Sequence, residues 1–267
     1  MNDSDPRYPE PIEALIVVLS AFSLIILTGL IYSLIHSGGT DLEQSDKTVQ
    51  IFFIFGGSLF LIVPLIYARY RQYEIKNLFR FNTVPVSIII QSVLIGIALT
   101  FLSDELDRII NIFFTMPDWL NEQMEPLKAG NTFEMILIIL GAVVIAAIAE
   151  EGLFRGFLQH SLEKRGDVTR AVILSSLTWT MIHMNLFWAI QLFLMGMVIG
   201  YTAWRTNSII PAIIIHGINN LIGVIFLNYN MDPYMHWYEW HDHVSPIVIV
   251  ISAAILFFSI KNIKRVY

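Results

Sequence analysis

Eight apolar runs constrain this chain more than any other feature of its sequence. They span Ile12–Ile35, Gln50–Tyr67, Val84–Leu102, Phe133–Leu153, Val168–His183, Leu186–Trp204, Ser208–Leu227 and Ser245–Ile260. Each is near the ~20 residues that a helix needs to cross the hydrocarbon of a bilayer, the fifth being on the short side. Backbone N–H and C=O groups find no water there, so an open-ended segment at that depth has to be helical. The expected fold is therefore all-α. It is a polytopic membrane helix bundle of about eight transmembrane helices, forming one integral membrane domain over residues 1–267. Of the residues, 55% are hydrophobic and only 14% charged, against about 25% charged in a soluble domain.

Charge orients the bundle. With the N-terminus inside, the cytoplasmic ends collect thirteen of the sixteen Lys and Arg, among them Arg69, Lys76, Arg80, Arg155, Arg205 and Lys261. Only Lys47, Arg108 and Lys128 fall outside. Basic residues favour the cytoplasmic side, so both termini are expected there and the number of spans is even. The start, Met1-Asn2-Asp3-Ser4-Asp5-Pro6, lacks the basic region of a signal peptide, so the first run is expected to be retained. Asp104–Asn131 reads as a long acidic loop in which Leu106–Phe114, with helical spacing, suits the interface. Trp237, Tyr238 and Trp240 read as interfacial anchors. The chain has no cysteine, which removes disulfides, thiolate nucleophiles and cysteine metal sites. Its net charge of −6 argues against a nucleic-acid partner.

The fourth run ends on charges: Ile148-Ala149-Glu150-Glu151-Gly152-Leu153-Phe154-Arg155-Gly156. A charge at membrane depth costs roughly 2.5–3.5 kcal/mol on insertion scales. Either the helix has reached the headgroups and the charges are wet, or the chain uses them. The fourth and fifth runs form a hairpin turning near Gly166. Glu150 lies sixteen residues before that turn and His183 seventeen after it. At about 1.5 Å per residue both stand about 25 Å from the turn, where a carboxylate and an imidazole can meet. Glu151 and Arg155, at i and i+4, share a face and can pair. Glu150 points about 100° away, free to face a cavity. Gly152 and Gly156 allow a neighbouring helix to approach. On the seventh run His216 and Asn220 also share a face, although Pro211 leaves the start of that helix open.

Each polar residue has a plainer reading. A histidine can bond a backbone carbonyl, Asn219, Asn220 and Gln191 can bond between helices, and His36 and His160, at block ends, can be solvated. His236, His241 and His243, with Glu239 and Asp242, are spaced for a metal or for an interfacial loop. Taken together, the set has a chemical logic. A buried glutamate beside an imidazole can deprotonate water. A second imidazole and a carboxamide can donate hydrogen bonds to an oxyanion. This suits amide hydrolysis without a covalent intermediate, since Ser161, Ser175 and Ser176 have no base at matching depth.

Glu150-Glu151-x-x-x-Arg155, Trp179-x-x-x-His183 and His216-x-x-x-Asn220 resemble, in order, the three motifs of the CPBP family. These are the type II CAAX prenyl endopeptidases and related bacterial proteins, some of them linked to bacteriocin self-immunity. The resemblance covers about Phe133–Leu227. It implies an intramembrane endopeptidase of the cell membrane. Glu150 would activate water with His183, His216 and Asn220 would hold the oxyanion, and Glu151 and Arg155 would support them. The second motif usually begins with Phe; Trp179 is expected to alter only local packing. The resemblance implies a membrane-associated or lipidated peptide or protein as substrate, reached from the cytoplasmic side. No cofactor is expected to be required. Zinc held by Glu150, His183 and His216 is the alternative, although no His-Glu-x-x-His pair is present. Competing readings are a non-enzymatic bacteriocin-immunity or membrane scaffold protein, and a proton-coupled transporter.

Overall fold

The computed structural model describes residues 8–36, 42–230 and 232–264. Arg7, Arg265 and the acidic N-terminal hexapeptide lie outside them, as does the side chain of His36. Among the described residues each apolar run is one long helix: α1 Pro11–His36, α2 Leu42–Tyr70, α3 Val86–Phe113, α4 Thr132–Arg165, α5 Val168–Ile182, α6 Ala189–Thr206, α7 Ile210–Asn228 and α8 Pro246–Asn262. By length and composition α1, α3, α4 and α7 can cross a membrane, and α5, α8 and the Gly56–Tyr70 part of α2 are shorter apolar helices. The architecture is an all-α membrane helix bundle. The small exception is a hairpin of two-residue strands, β1 (Glu239–Trp240) and β2 (His243–Val244).

The outside of the bundle is greasy. Ile12, Ile16, Leu19 and Leu30 of α1 and Ile247, Val250, Phe257 and Phe258 of α8 are all exposed. Water does not tolerate a continuous apolar coat of this extent, whereas lipid does. Inside, α4 is the hub. It packs against α1, α2, α5, α6 and α7, while α3 lies between α7 and α8. Leu153, Phe154 and Phe157 of α4 meet Phe60, Phe79, Trp179, Ile199 and Ile215 in the core. The expected close approach at Gly156 is real. A Cβ there would sit 3.1 Å from both Cα and O of Phe79, so even a methyl group would require the Phe79 backbone to give by a few tenths of an ångström.

The two ends of the bundle differ. One end holds the 71–85, 166–167 and 207–209 connections and is tied shut. Asp167 caps α5 by accepting from Arg170 N. Asn207 turns the chain with a left-handed φ of 48°, and Asn82 Nδ2 donates to its carbonyl at 2.7 Å. Pro211 falls in the first turn of α7, where its missing N–H costs nothing. Arg80 of the 71–85 connection is buried and paired with Glu163, whose side chain is 7% exposed. One expectation fails at this end. His160 is 4% exposed, and its Nδ1 donates to Leu78 O at 3.0 Å, because the 75–80 turn folds back over α4.

At the other end, α3 runs on to Phe113. Asp104, Glu105 and Asp107 therefore lie on a helix and not in a loop, and most of the expected Leu106–Phe114 segment is the continuation of α3. Interior partners explain the difference. Asp104 accepts from Tyr238 Oη at 2.6 Å and from Arg108 Nε at 3.1 Å. Glu105 accepts from Val244 N at 2.7 Å and binds His243 Nδ1 at 2.9 Å. Arg108 also donates to Glu239 Oε1 and to Asp242 O. The hairpin is thus lashed to the end of α3.

Candidate active site

α4 is not a uniform helix. Its α-helical centre, Ala146–Glu151, lies between two π-helical stretches, Ile139–Ile145 and Gly152–Leu158. Such wide turns are rare and concentrate at functional sites. Here they offer carbonyls sideways to neighbouring helices. Asn220 Nδ2 donates to Ala142 O at 2.9 Å, and Ser175 Oγ donates to Phe154 O at 2.9 Å.

The adjacent acids on the central segment face different surroundings. Glu151 is fully buried. Its Oε1 accepts from Arg155 Nη1 at 3.1 Å and from His216 Nδ1 at 2.8 Å. Arg155 is equally buried and also donates to Gly196 O at 3.3 Å. The expected i, i+4 pair is present. Glu150, turned away from it, lines a cavity of about 850 Å³. Its Oε2 accepts from Trp179 Nε1 at 2.7 Å.

All four residues given catalytic roles by the sequence line that cavity: Glu150, His183, His216 and Asn220. They do not meet in the expected way. Glu150 and His183 connect through Trp179, whose ring stands edge-on to His183 at 4.8 Å. His183 lies just past the end of α5, is exposed, and its Nδ1 is 2.8 Å from Trp179 O. A carbonyl only accepts, so this bond puts the hydrogen on Nδ1 and leaves Nε2 with a lone pair. The chain then turns sharply through Met184 (φ 50°), and Asn185 Oδ1 accepts from Phe187 N and Trp188 N. His216 does not pair with Asn220. It reaches across to Glu151, so its Nε2 is the ring nitrogen left for the cavity. Asn219 does bond between helices, accepting from Thr100 Oγ1 at 3.2 Å.

The far wall escaped sequence reasoning. Asp104, Asp107, Gln191 and Tyr238 line the same cavity, with Gln191 of α6 set against Asp107. Tyr238 was expected to anchor at the interface alongside Trp237 and Trp240. Those two are exposed, but Tyr238 is 2% exposed and closes over Phe101 and Phe226. Burial, reinforced by the hydrogen bond to Asp104, pushes its hydroxyl above the ordinary phenol range and keeps it a donor. Its apolar neighbours and the acids on one face of α3 were the available signal, hidden by reading the segment as a loop.

A metal was tested against the side chains present. Among the described residues no three His, Asp or Glu side chains are grouped so as to hold one. One oxygen of Glu150 is already taken by Trp179, and His216 is turned to Glu151. The His236–His243 loop does not gather a metal group either; His243 is occupied by Glu105.

Carboxylates and imidazoles that line a cavity inside a greasy bundle define a polytopic membrane protein with a candidate site in its interior. Residues 132–222 match the family model described as Type II CAAX prenyl endopeptidase Rce1-like. The matched segment is about a third of the chain and carries all three motifs. No curated protein and no solved structure matches the chain. With this match and, among the described residues, four helices long and apolar enough to cross a membrane, the chain is a multi-pass integral membrane protein.

Proposed function

We propose that the chain is an intramembrane endopeptidase that hydrolyses a peptide bond of a membrane-associated substrate with water activated by Glu150 and His183. The observation that carries this reading is the division of labour in α4. Oε1 of buried Glu151 is bonded by Arg155 and His216, while Glu150 one residue earlier fronts the cavity together with His183, His216 and Asn220. The volume lies within the few-hundred to ~1,000 Å³ typical of ligand sites.

Water attacks the scissile carbonyl carbon, and its proton passes to Glu150, aided by the free Nε2 of His183. The carbonyl oxygen becomes an oxyanion, held by the second N–H of the Asn220 amide and by Nε2–H of His216. Because Nδ1 of His216 donates to Glu151, donation from Nε2 requires both ring hydrogens, and Glu151 supplies the counter-charge. The tetrahedral centre collapses, the C–N bond breaks, and Glu150 returns its proton to the leaving amine. No metal takes part.

The test compares membrane-protein N-termini by mass spectrometry in cells carrying wild type or Glu150→Gln at equal abundance. New N-termini only with wild type are expected, and they name the substrates. Identical sets would sink the reading. Removing and restoring zinc should leave the wild-type N-termini unchanged; loss and recovery would restore the metal alternative.

A further inference from the structure

Trp179 is completely buried, and a buried indole N–H has to find an acceptor. Two carboxylates are within a turn of each other on the facing helix. The N–H goes to Glu150 Oε2 at 2.7 Å, the acid that fronts the cavity, and not to Glu151. The length is that of a charge-assisted bond. The rest of the ring is equally engaged. The Arg155 guanidinium lies over its face, 4.7 Å from the centroid. His183 and His216 meet it edge-on at 4.8 and 5.5 Å. A cation over the face withdraws electron density and makes the N–H a stronger donor. Gly196 leaves room for this stack: a Cβ there would sit 3.2 Å from Trp179 Cε3 and 3.3 Å from Arg155 Nη2.

A carboxylate on a helix can turn either oxygen to a bound water. Here one oxygen is fixed by a rigid donor that is itself packed against Arg155, His183 and His216. We propose that Trp179 is a positioning residue of the reaction: its N–H pins Oε2 of Glu150, so that Oε1 takes the proton from the attacking water. A phenylalanine at this position would fill much of the space and leave the carboxylate unpinned, so the departure from the motif reaches the chemistry as well as the packing. The inference rests on Glu150 acting as the base.

The experiment uses the full chain with four replacements: Trp179→Phe, Trp179 replaced by 3-benzothienylalanine, Glu150→Ala and Glu150→Gln. The benzothienyl ring keeps the indole shape and exchanges the N–H for sulfur, so it covers the case in which the smaller phenylalanine fails to fold. Two readouts are taken. The first is the indole 1H–15N resonance of Trp179, identified by its absence in Trp179→Phe. It should move upfield in Glu150→Ala, whereas a resonance that stays put would refute the bond. The second is the rate at which wild-type-specific N-termini appear at equal protein abundance. The benzothienyl protein should be slower by about 10- to 100-fold, as expected when a reacting group is misplaced by up to ~1 Å. A benzothienyl protein as fast as wild type, with Glu150→Gln inactive, would overturn the role of Trp179 alone. Full activity of Glu150→Gln would overturn the reading of Glu150, and this inference with it.

Discussion

The closed end and the cavity end of the bundle use the same kinds of side chain for opposite purposes. At the closed end Arg80 and Glu163 are buried together, His160 spends its Nδ1 on a backbone carbonyl, and Gln159 reaches both Glu163 and Gly200 O. These groups bond to protein partners and hold turns in place. At the cavity end Glu150, His183 and His216 each commit one polar atom to protein and present another to an open volume. A buried charge is informative less by its presence than by whether it fronts an open volume.

This contrast can be broken in several ways. If basic residues mark the cytoplasmic face, the cavity end faces away from it. Because the chain has no cysteine, single replacements report this directly. Trp240→Cys should react fully with a membrane-impermeant maleimide added to spheroplasts, and Lys76→Cys only after lysis; the reverse pattern would turn the bundle over. Next in size, Glu150→Gln should lower the rate of product formation by about 10²- to 10⁴-fold while its melting temperature in detergent stays near wild type. A matching collapse in stability would make Glu150 another structural acid. Arg80→Ala should show the opposite profile. It strands Glu163 at a cost of about 3–5 kcal/mol, seen as a lower melting temperature and poor yield. Gly156→Ala, which presses on the backbone of Phe79, should cost about 1–3 kcal/mol by the same measurement. The smallest effect belongs to Arg108→Ala. Its partners Asp104 and Glu239 are 37% and 49% exposed, so about 0–1 kcal/mol is at stake. It should speed hydrogen exchange in the 239–244 hairpin and leave global melting unchanged.

Much of the fold and half of the site are legible in the sequence. Apolar runs near 20 residues give one helix each, because lipid admits few alternatives. Spacing places Glu151 on Arg155 and turns Glu150 away, since helical phase is local. The failures come from treating charge as a sign of water. Asp104 and Glu105 seem to end the third run, although α3 continues past them on interior partners. His160 looks solvated because it lies near a run end, and the 75–80 turn that buries it is a long-range contact. His216 shares a face with Asn220, yet its bond goes to Glu151, 65 positions away. Trp179 reads as volume because motif comparison weighs ring size and overlooks one hydrogen on nitrogen.

The two π stretches of α4 also bear on how this helix tolerates changes of length. A π turn accommodates a residue more than an α turn, so each stretch is an insertion that the helix has absorbed without rotating its downstream residues. Deleting one residue there, such as Val144, should let the stretch relax to α form with Glu150 still facing the cavity; only the hold of Asn220 on Ala142 would be lost. Deleting one within Ala146–Glu151 has no such slack and would swing the downstream face by about 100°. Length variants among related chains should therefore cluster at the two π stretches and avoid the six residues between them.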